Sequence, residues 1–216
     1  MSASASKQTR GPETEATFAT EAIIRETIRA AHPAGAGEIW IDEFSVPGTK
    51  ERVDLALVGA ALTAFEIKTE RDDLRRLPRQ LNAFSRLFDH CSVVVAEKHL
   101  AGCELMLPEW WGISVASFSS TGVVLDRVRG AGSSPESDPV LLVRLLWKGE
   151  VEQAVKEIAA PSPPQASRQV LWAVLLQHGS PGELKRLVCK ALRSRDGASA
   201  KLPSNRFNVR RPAVDP

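Results

Sequence analysis

Two consecutive apolar segments, Arg52 to Val58 and Leu62 to Thr69, each carry a carboxylate in their interior, and only Gly59-Ala60-Ala61 separates them. Segments this short and this close can pair only as an antiparallel hairpin or meander. Along the first, alternation sets Asp54 with Ala56 and Val58, opposite Val53, Leu55 and Leu57. Along the second, Glu66 and Lys68 share one face, and Phe65 and Ile67 take the other. A carboxylate inside each of two apolar strands is costly unless something compensates it.

Register decides whether the two acids can meet. Asp54 stands opposite Glu66 only in the register that also pairs Val58 with Leu62 and leaves Gly59 to Ala61 as the loop. A loop shorter by one residue reverses the parity and puts the acids on opposite faces. Like charges directly opposite destabilise a hairpin, and a hard cation between them reverses the sign. Oxygen ligands suit Mg²⁺, which keeps several waters and takes only one or two carboxylates. Lys68, on the face of Glu66, is placed to orient a metal-bound water and to stabilise charge developing on a phosphate. Two acids and a lysine at one cation make a coherent site for phosphodiester hydrolysis.

The flanking pattern supplies a scaffold. Ala16 to Ala31 reads as an amphipathic helix stopped by His32-Pro33, and Glu38 to Val46 as a strand ended by Pro47-Gly48. After the hairpin and a charged loop, Leu77 to Asp89 reads as a helix with Pro78 in its first turn. Cys91 to Ala96 is a nearly all-apolar run, the mark of a strand covered on both faces. A helix over Leu100 to Leu107, a strand over Gly112 to Phe118 and an edge strand over Val123 to Val128 complete the pattern. The expected fold is α/β, a mixed sheet flanked by helices.

With Asp54 and the Glu66-Ile67-Lys68 run, the chain resembles the PD-(D/E)XK nuclease superfamily, whose signature is an acid at a strand end followed by (D/E)-x-K on the next strand. The superfamily's restriction-endonuclease-like core of helix, three-stranded meander, helix and strand is similar to the order from Ala16 to Ala96. The Arg75-Arg76-Leu77-Pro78-Arg79-Gln80 stretch resembles a bacterial, mostly uncharacterised subgroup. The resemblance implies a Mg²⁺- or Mn²⁺-dependent nuclease acting on DNA, with Asp54, Glu66 and the Ile67 carbonyl on the metal, Lys68 on the attacking water and Gln80 assisting. It also implies an additional ligand from Glu21, Glu26 or Glu43, among which spacing does not choose, and a homodimer is common among such proteins. Two departures stand out. Val53 replaces the signature proline, and Phe84 stands where some relatives place a tyrosine after the glutamine. The second reading is a catalytically inactive protein of the same fold that binds nucleic acid or serves in assembly.

Composition narrows the classes without choosing among them. The 216 residues suffice for one sizeable α/β domain and an appendage. Lys and Arg total 28 against 26 Asp and Glu, so a nucleic-acid partner would have to be met by a local basic surface. Such charges gather between Glu70 and Arg76, with Arg79 and Arg86. Cys91, Cys103 and Cys189 show no metal-ligand spacing, which favours a reducing cytoplasm over a disulfide framework. No apolar run approaches the roughly 20 residues that span a bilayer. His99 and Trp110-Trp111 read as packing or capping residues.

The domain organisation expected is a disordered leader over 1–15, the nuclease-like α/β domain over 16–129, a helical region over 138–195 and a flexible tail over 196–216. The Gly/Ser/Pro-rich break from Gly130 to Ser137 marks the boundary. Beyond it, helices are expected over Val140 to Ile158, Ser167 to His178 and Glu183 to Arg195. Lys185, Arg186, Lys190, Arg193 and Arg195 make the last of these basic, so the final pair could pass for a helix-turn-helix.

Overall fold

The computed structural model describes residues 19–120 and 122–195. The leader over 1–15 and the tail over 196–216 lie outside the described residues. The first helix, α1 (Glu21–Ala31), starts where the Thr20 hydroxyl accepts the Ile23 N–H. Then follow β1 (Ile39–Ser45), β2 (Arg52–Val58), β3 (Leu62–Lys68), α2 (Leu77–Ser85) and β4 (His90–Val95). A 3₁₀ turn over Glu97–His99 leads into α3 (Leu100–Met106), β5 (Gly112–Ser119) and β6 (Gly122–Arg129). Helices α4 (Pro139–Arg144), α5 (Lys148–Glu157), α6 (Arg168–His178) and α7 (Pro181–Arg193) complete the described chain.

The strands lie in the order β1-β2-β3-β4-β5-β6 in one sheet. Short connections make β1–β2, β2–β3 and β5–β6 antiparallel, while the crossovers through α2 and α3 make β3–β4 and β4–β5 parallel. The fold is thus α/β, with a mixed six-stranded sheet flanked by helices. On one face, Ile24 and Ile28 of α1 pack with Leu55, Phe65, Ile67 and Val94. On the other, Ala56, Val58, Leu62, Ala64, Val93 and Val95 join a continuous core with Phe84, Phe88 and Trp111. Leu141, Leu142, Leu145, Leu175, Leu187 and Val188 of the C-terminal helical region belong to that same core, and α7 reaches β2. Cys91, Cys103 and Cys189 are buried free thiols. Among the described residues no helix is long and apolar enough to cross a membrane.

Four expectations are corrected. The stretch from Val140 to Ile158 is two helices, because α4 ends at Arg144 and α5 begins after Trp147. On a continuous helix turning about 100° per residue, these six apolar residues (Leu141, Leu142, Leu145, Leu146, Val151 and Val155) would spread over more than half of the circumference, with Val151 opposite Leu142 and Val155 opposite Leu146. Breaking the helix lets all six be buried, and the Glu150 carboxylate accepts the freed Trp147 N–H at 2.7 Å. The last helix begins at Pro181, two residues earlier than expected. Ser180 is its cap: its hydroxyl accepts the Glu183 N–H while the Glu183 carboxylate accepts the Ser180 N–H. Helix α2 stops at Ser85, where a helix was expected to continue to Asp89.

The fourth correction bears on the site. Strict alternation along β2 would place Val53 with Leu55, yet Val53 shares the core of Ala56 and Val58, and Leu55 lies in the α1 cluster. Strand β1 changes phase at the same level, since Ile41 and Phe44 share one core although three residues apart. Their facing residues, Glu43 and Asp54, are the step at which both strands turn. Glu43 has φ 55°, the left-handed region that non-glycine residues seldom occupy.

Candidate functional site

The β2–β3 ladder pairs Val58 with Leu62, Leu57 with Thr63, Ala56 with Ala64 and Leu55 with Phe65. This is the register that sets Asp54 opposite Glu66, and the Gly59–Ala61 loop closes with the Gly59 N–H on the Ala61 carbonyl at 3.0 Å. The ladder stops one residue short of Asp54. There the Asp54 side chain turns toward β3, and its Oδ2 accepts the Ile67 N–H at 2.7 Å. Ile67 therefore enters the site through its amide as well as its place in the sequence.

Glu66 and Lys68 stand on the α2 side of β3 and are buried to 2% and 7% exposure. Lys68 Nζ donates to Glu66 Oε1 at 2.5 Å. Gln80, projecting from the first turns of α2 and equally buried, donates its Nε2 to the same oxygen. The structure thus brings Asp54, Glu66, Lys68 and Gln80 together. Two acceptors in this group have no donor: Glu66 Oε2 and Gln80 Oε1 are both buried without a hydrogen-bond partner. A buried oxygen left in that state costs about 1–3 kcal/mol, more when it is charged.

Burial pushes the Glu66 carboxyl up to about 7; the nearby Asp54 charge adds to this, and Lys68 and Gln80 oppose it. Burial likewise raises Asp54 to about 6, opposed by the Ile67 N–H and the charges of Lys68 and Arg25, and reinforced by Glu21. Both acids therefore hold protons more tightly than free carboxyls do. A cation entering beside them would compete with those protons.

On the α1 side of Asp54 lies a second group of acids. One carboxylate oxygen each from Glu21, Glu43 and Asp54 lie within 4.8 Å of one another. Of the three additional acids considered from sequence, Glu21 and Glu43 are here, while Glu26 is exposed and pairs with Arg29 at 2.5 Å. Arg25 sits among these acids, and sequence reasoning missed it. Its guanidinium donates to Glu21 and Glu43, to Asp42 at 3.0 Å and to the Asp54 carbonyl at 2.6 Å, with Asp54 Oδ1 at 3.5 Å. The Glu21–Arg25 spacing on a helix was visible in the sequence. Its meeting with β1 and β2 was not.

The basic residues considered for nucleic-acid contact divide into two groups. Arg76 and Arg79, at the start of α2, are largely exposed and lie 3.6 and 3.7 Å from Glu51. Arg75 pairs with Asp73, and Arg86 with Asp138. On and after α7, Lys185 is held by Asp89, and Arg186 and Lys190 by Glu157. Arg193 donates to the Gly59 carbonyl and Arg195 to Glu150. All five cations of that helical end are engaged within the chain, so reading a duplex with them would require giving up these partners. His99 Nε2 lies 3.1 Å from the Thr69 carbonyl, and the fully buried Trp111 donates to the Ser85 hydroxyl at 3.2 Å.

A sequence profile of the family described as Bacteriophage P4 protein cII matches residues 11–212. Protein cII of Enterobacteria phage P4 is 23% identical over 160 residues, covering 74% of this chain. The chain spans about 60% of the length of that curated relative. No solved structure matches this chain. With the profile running through the sheet, the acidic site and the C-terminal helices alike, the chain belongs to the Bacteriophage P4 protein cII family.

Proposed function

We propose that this protein is a divalent-metal-dependent nuclease of the PD-(D/E)XK type, with a restriction-endonuclease-like core, hydrolysing phosphodiester bonds in DNA. The observation that carries the reading is Glu66, a carboxylate of 2% exposure with one oxygen unpartnered, set beside Asp54 and Lys68. Oxygen donors of this kind fit Mg²⁺ or Mn²⁺. Asp54 and Glu66 would hold the ion, with the Ile67 carbonyl as a further donor and Glu21 or Glu43 reachable from Asp54. Bound there, the ion would lower the pKa of a water and polarise a phosphoryl oxygen.

The chain's own residues have separate tasks. Gln80 and Lys68 fix the Glu66 carboxylate through Oε1 and leave Oε2 for the ion. The Ile67 N–H fixes Asp54 in the same way. Lys68 orients the attacking water and offsets negative charge building on the phosphate, a role that suits a cation in a site shielded from solvent. Arg76, just before α2, and Arg79 on it offer contacts to the nucleic-acid backbone.

A second reading, an inactive nuclease-fold protein that binds nucleic acid or serves in assembly, is favoured by Arg25, which already pairs with each acid of the Glu21–Glu43–Asp54 group. One experiment separates the two. Single- and double-stranded DNA are incubated with Mg²⁺ or Mn²⁺ and the wild type, Asp54→Ala or Lys68→Ala. Metal-dependent cleavage that falls about a hundredfold or more in both variants supports the nuclease. Cleavage indifferent to both changes sinks the site assignment. DNA binding without cleavage, indifferent to metal, supports the second reading.

A further inference from the structure

Arg25 is placed where a tethered cation would stand in for a free one. Its guanidinium reaches Glu21, Glu43 and Asp54, the three residues whose oxygens lie within 4.8 Å of one another. It is mostly buried, its side chain 12% exposed. It also grips the Asp54 carbonyl and Asp42, so it holds α1 against β1 and β2 at the level where both strands turn. A second observation points to a missing cation on the other side of Asp54: the buried Glu66 Oε2 has no donor at all. On that side Lys68 Nζ is bonded to Glu66 Oε1, and Oε2 is left without a partner.

Resting on the nuclease reading, we infer that Arg25 is a built-in competitor of the divalent ion, and that the ion draws Asp54 and its acidic neighbours away from the guanidinium. Arg25 keeps the acids assembled while the ion is absent and weakens the ion's hold when it arrives. The guanidinium is suited to this because it is always charged and binds several carboxylates at once through its planar fork. Lysine would place the same single charge among the acids but could not hold them in one fixed arrangement. Arg25 is therefore a positioning residue that sets metal affinity. The arrangement makes opposite predictions for stability and for binding: removing Arg25 harms the metal-free protein and favours the metal-bound one.

The test measures Mn²⁺ bound to the full chain by electron paramagnetic resonance and the melting temperature with and without Mn²⁺. The proteins compared are the wild type, Arg25→Gln, Arg25→Lys and Asp54→Asn. Expected for Arg25→Gln are a lower melting temperature without metal, Mn²⁺ binding tighter by about tenfold and a larger rise in melting temperature on adding Mn²⁺. Arg25→Lys should fall between Arg25→Gln and the wild type, and it carries the test if Arg25→Gln does not fold. Mn²⁺ binding that is unchanged or weaker in whichever of the two variants folds overturns the inference while leaving the nuclease reading intact. If the wild type binds no Mn²⁺ that Asp54→Asn abolishes, the metal reading of the site itself fails.

Discussion

Glu66 gives the sharpest test of the site, because an ion site that is also a buried acid must leave its mark on stability. In the metal-free protein its carboxyl is raised from the ordinary 4.5 to about 7, chiefly by burial. The folded chain thus keeps this proton to higher pH than the unfolded chain does. Between those values the native state binds more protons, and stability falls as pH rises. The penalty is absent below the ordinary value and complete above about 7. At about 1.4 kcal/mol for each tenfold change in proton affinity, it amounts to about 3 kcal/mol. Glu66→Gln keeps the shape and removes the ionisation. Where Glu66 is protonated, variant and wild type should be about equally stable. At about pH 8 the variant should be the more stable by about 3 kcal/mol, roughly 6–12 °C in melting temperature for a chain of this size. The attraction of Lys68 is already contained in this figure, since it acts on Glu66 as the proton leaves. The assay is urea unfolding of both proteins in EDTA from about pH 5 to about pH 8. Adding Mn²⁺ at the alkaline end should stabilise the wild type alone. A difference between the two proteins that stays constant with pH, or that shifts toward the wild type as pH rises, would refute the argument for a desolvated, metal-seeking carboxylate.

Two further outcomes concern the frame that holds the site. Ser180→Ala removes one half of the reciprocal cap on α7 and should lower stability by about 1 kcal/mol in urea unfolding, with no change in the transition's steepness. Trp111→Ala opens a cavity under β4 and β5 at a fully buried position and frees the Ser85 hydroxyl. It should cost about 3–5 kcal/mol, whereas a cost near that of a surface change would show that the core across Phe84 and Trp111 is not packed as described.

The sheet was legible where the sequence states both ends of a strand and the face it buries. Strand β2 has the bounds read from the alternating run; its register with Leu62 was one of two that the short loop left open. The α4–α5 break was legible too, had phase been weighed above apolar content: Leu141, Leu142, Leu145 and Leu146 together with Val151 and Val155 cover more than half of a continuous helix's circumference, too wide for one buried face. The start of α7 was written in Ser180-Pro181-Gly182-Glu183, a capping box that the turn-forming look of Pro-Gly concealed. Arg25 was beyond reach for a different reason. Its helix partner, Glu21, can be seen at four residues' distance, but its partners on β1 and β2 are set by how α1 crosses the sheet, which no local pattern encodes.

What the sequence could not express at all is why the acids meet at an interruption of the sheet. Had β2 and β3 stayed paired through Asp54, alternation would confine its carboxylate to one face, as it confines Glu66. Instead the ladder ends at Leu55 and Phe65, the facing Glu43 adopts a positive φ, and the Asp54 side chain takes the Ile67 N–H. Freed from one face, Asp54 stands between the α1 group of Glu21, Glu43 and Arg25 and the α2 group of Glu66, Lys68 and Gln80. Arg25 touches only the first group and Glu66 belongs only to the second. A change at Asp54 therefore disturbs both sides at once, while a change at Arg25 or Glu66 begins on one. That asymmetry makes the two single-sided variants informative about metal binding, and makes Asp54 the position at which loss of the ion and loss of the frame must be told apart.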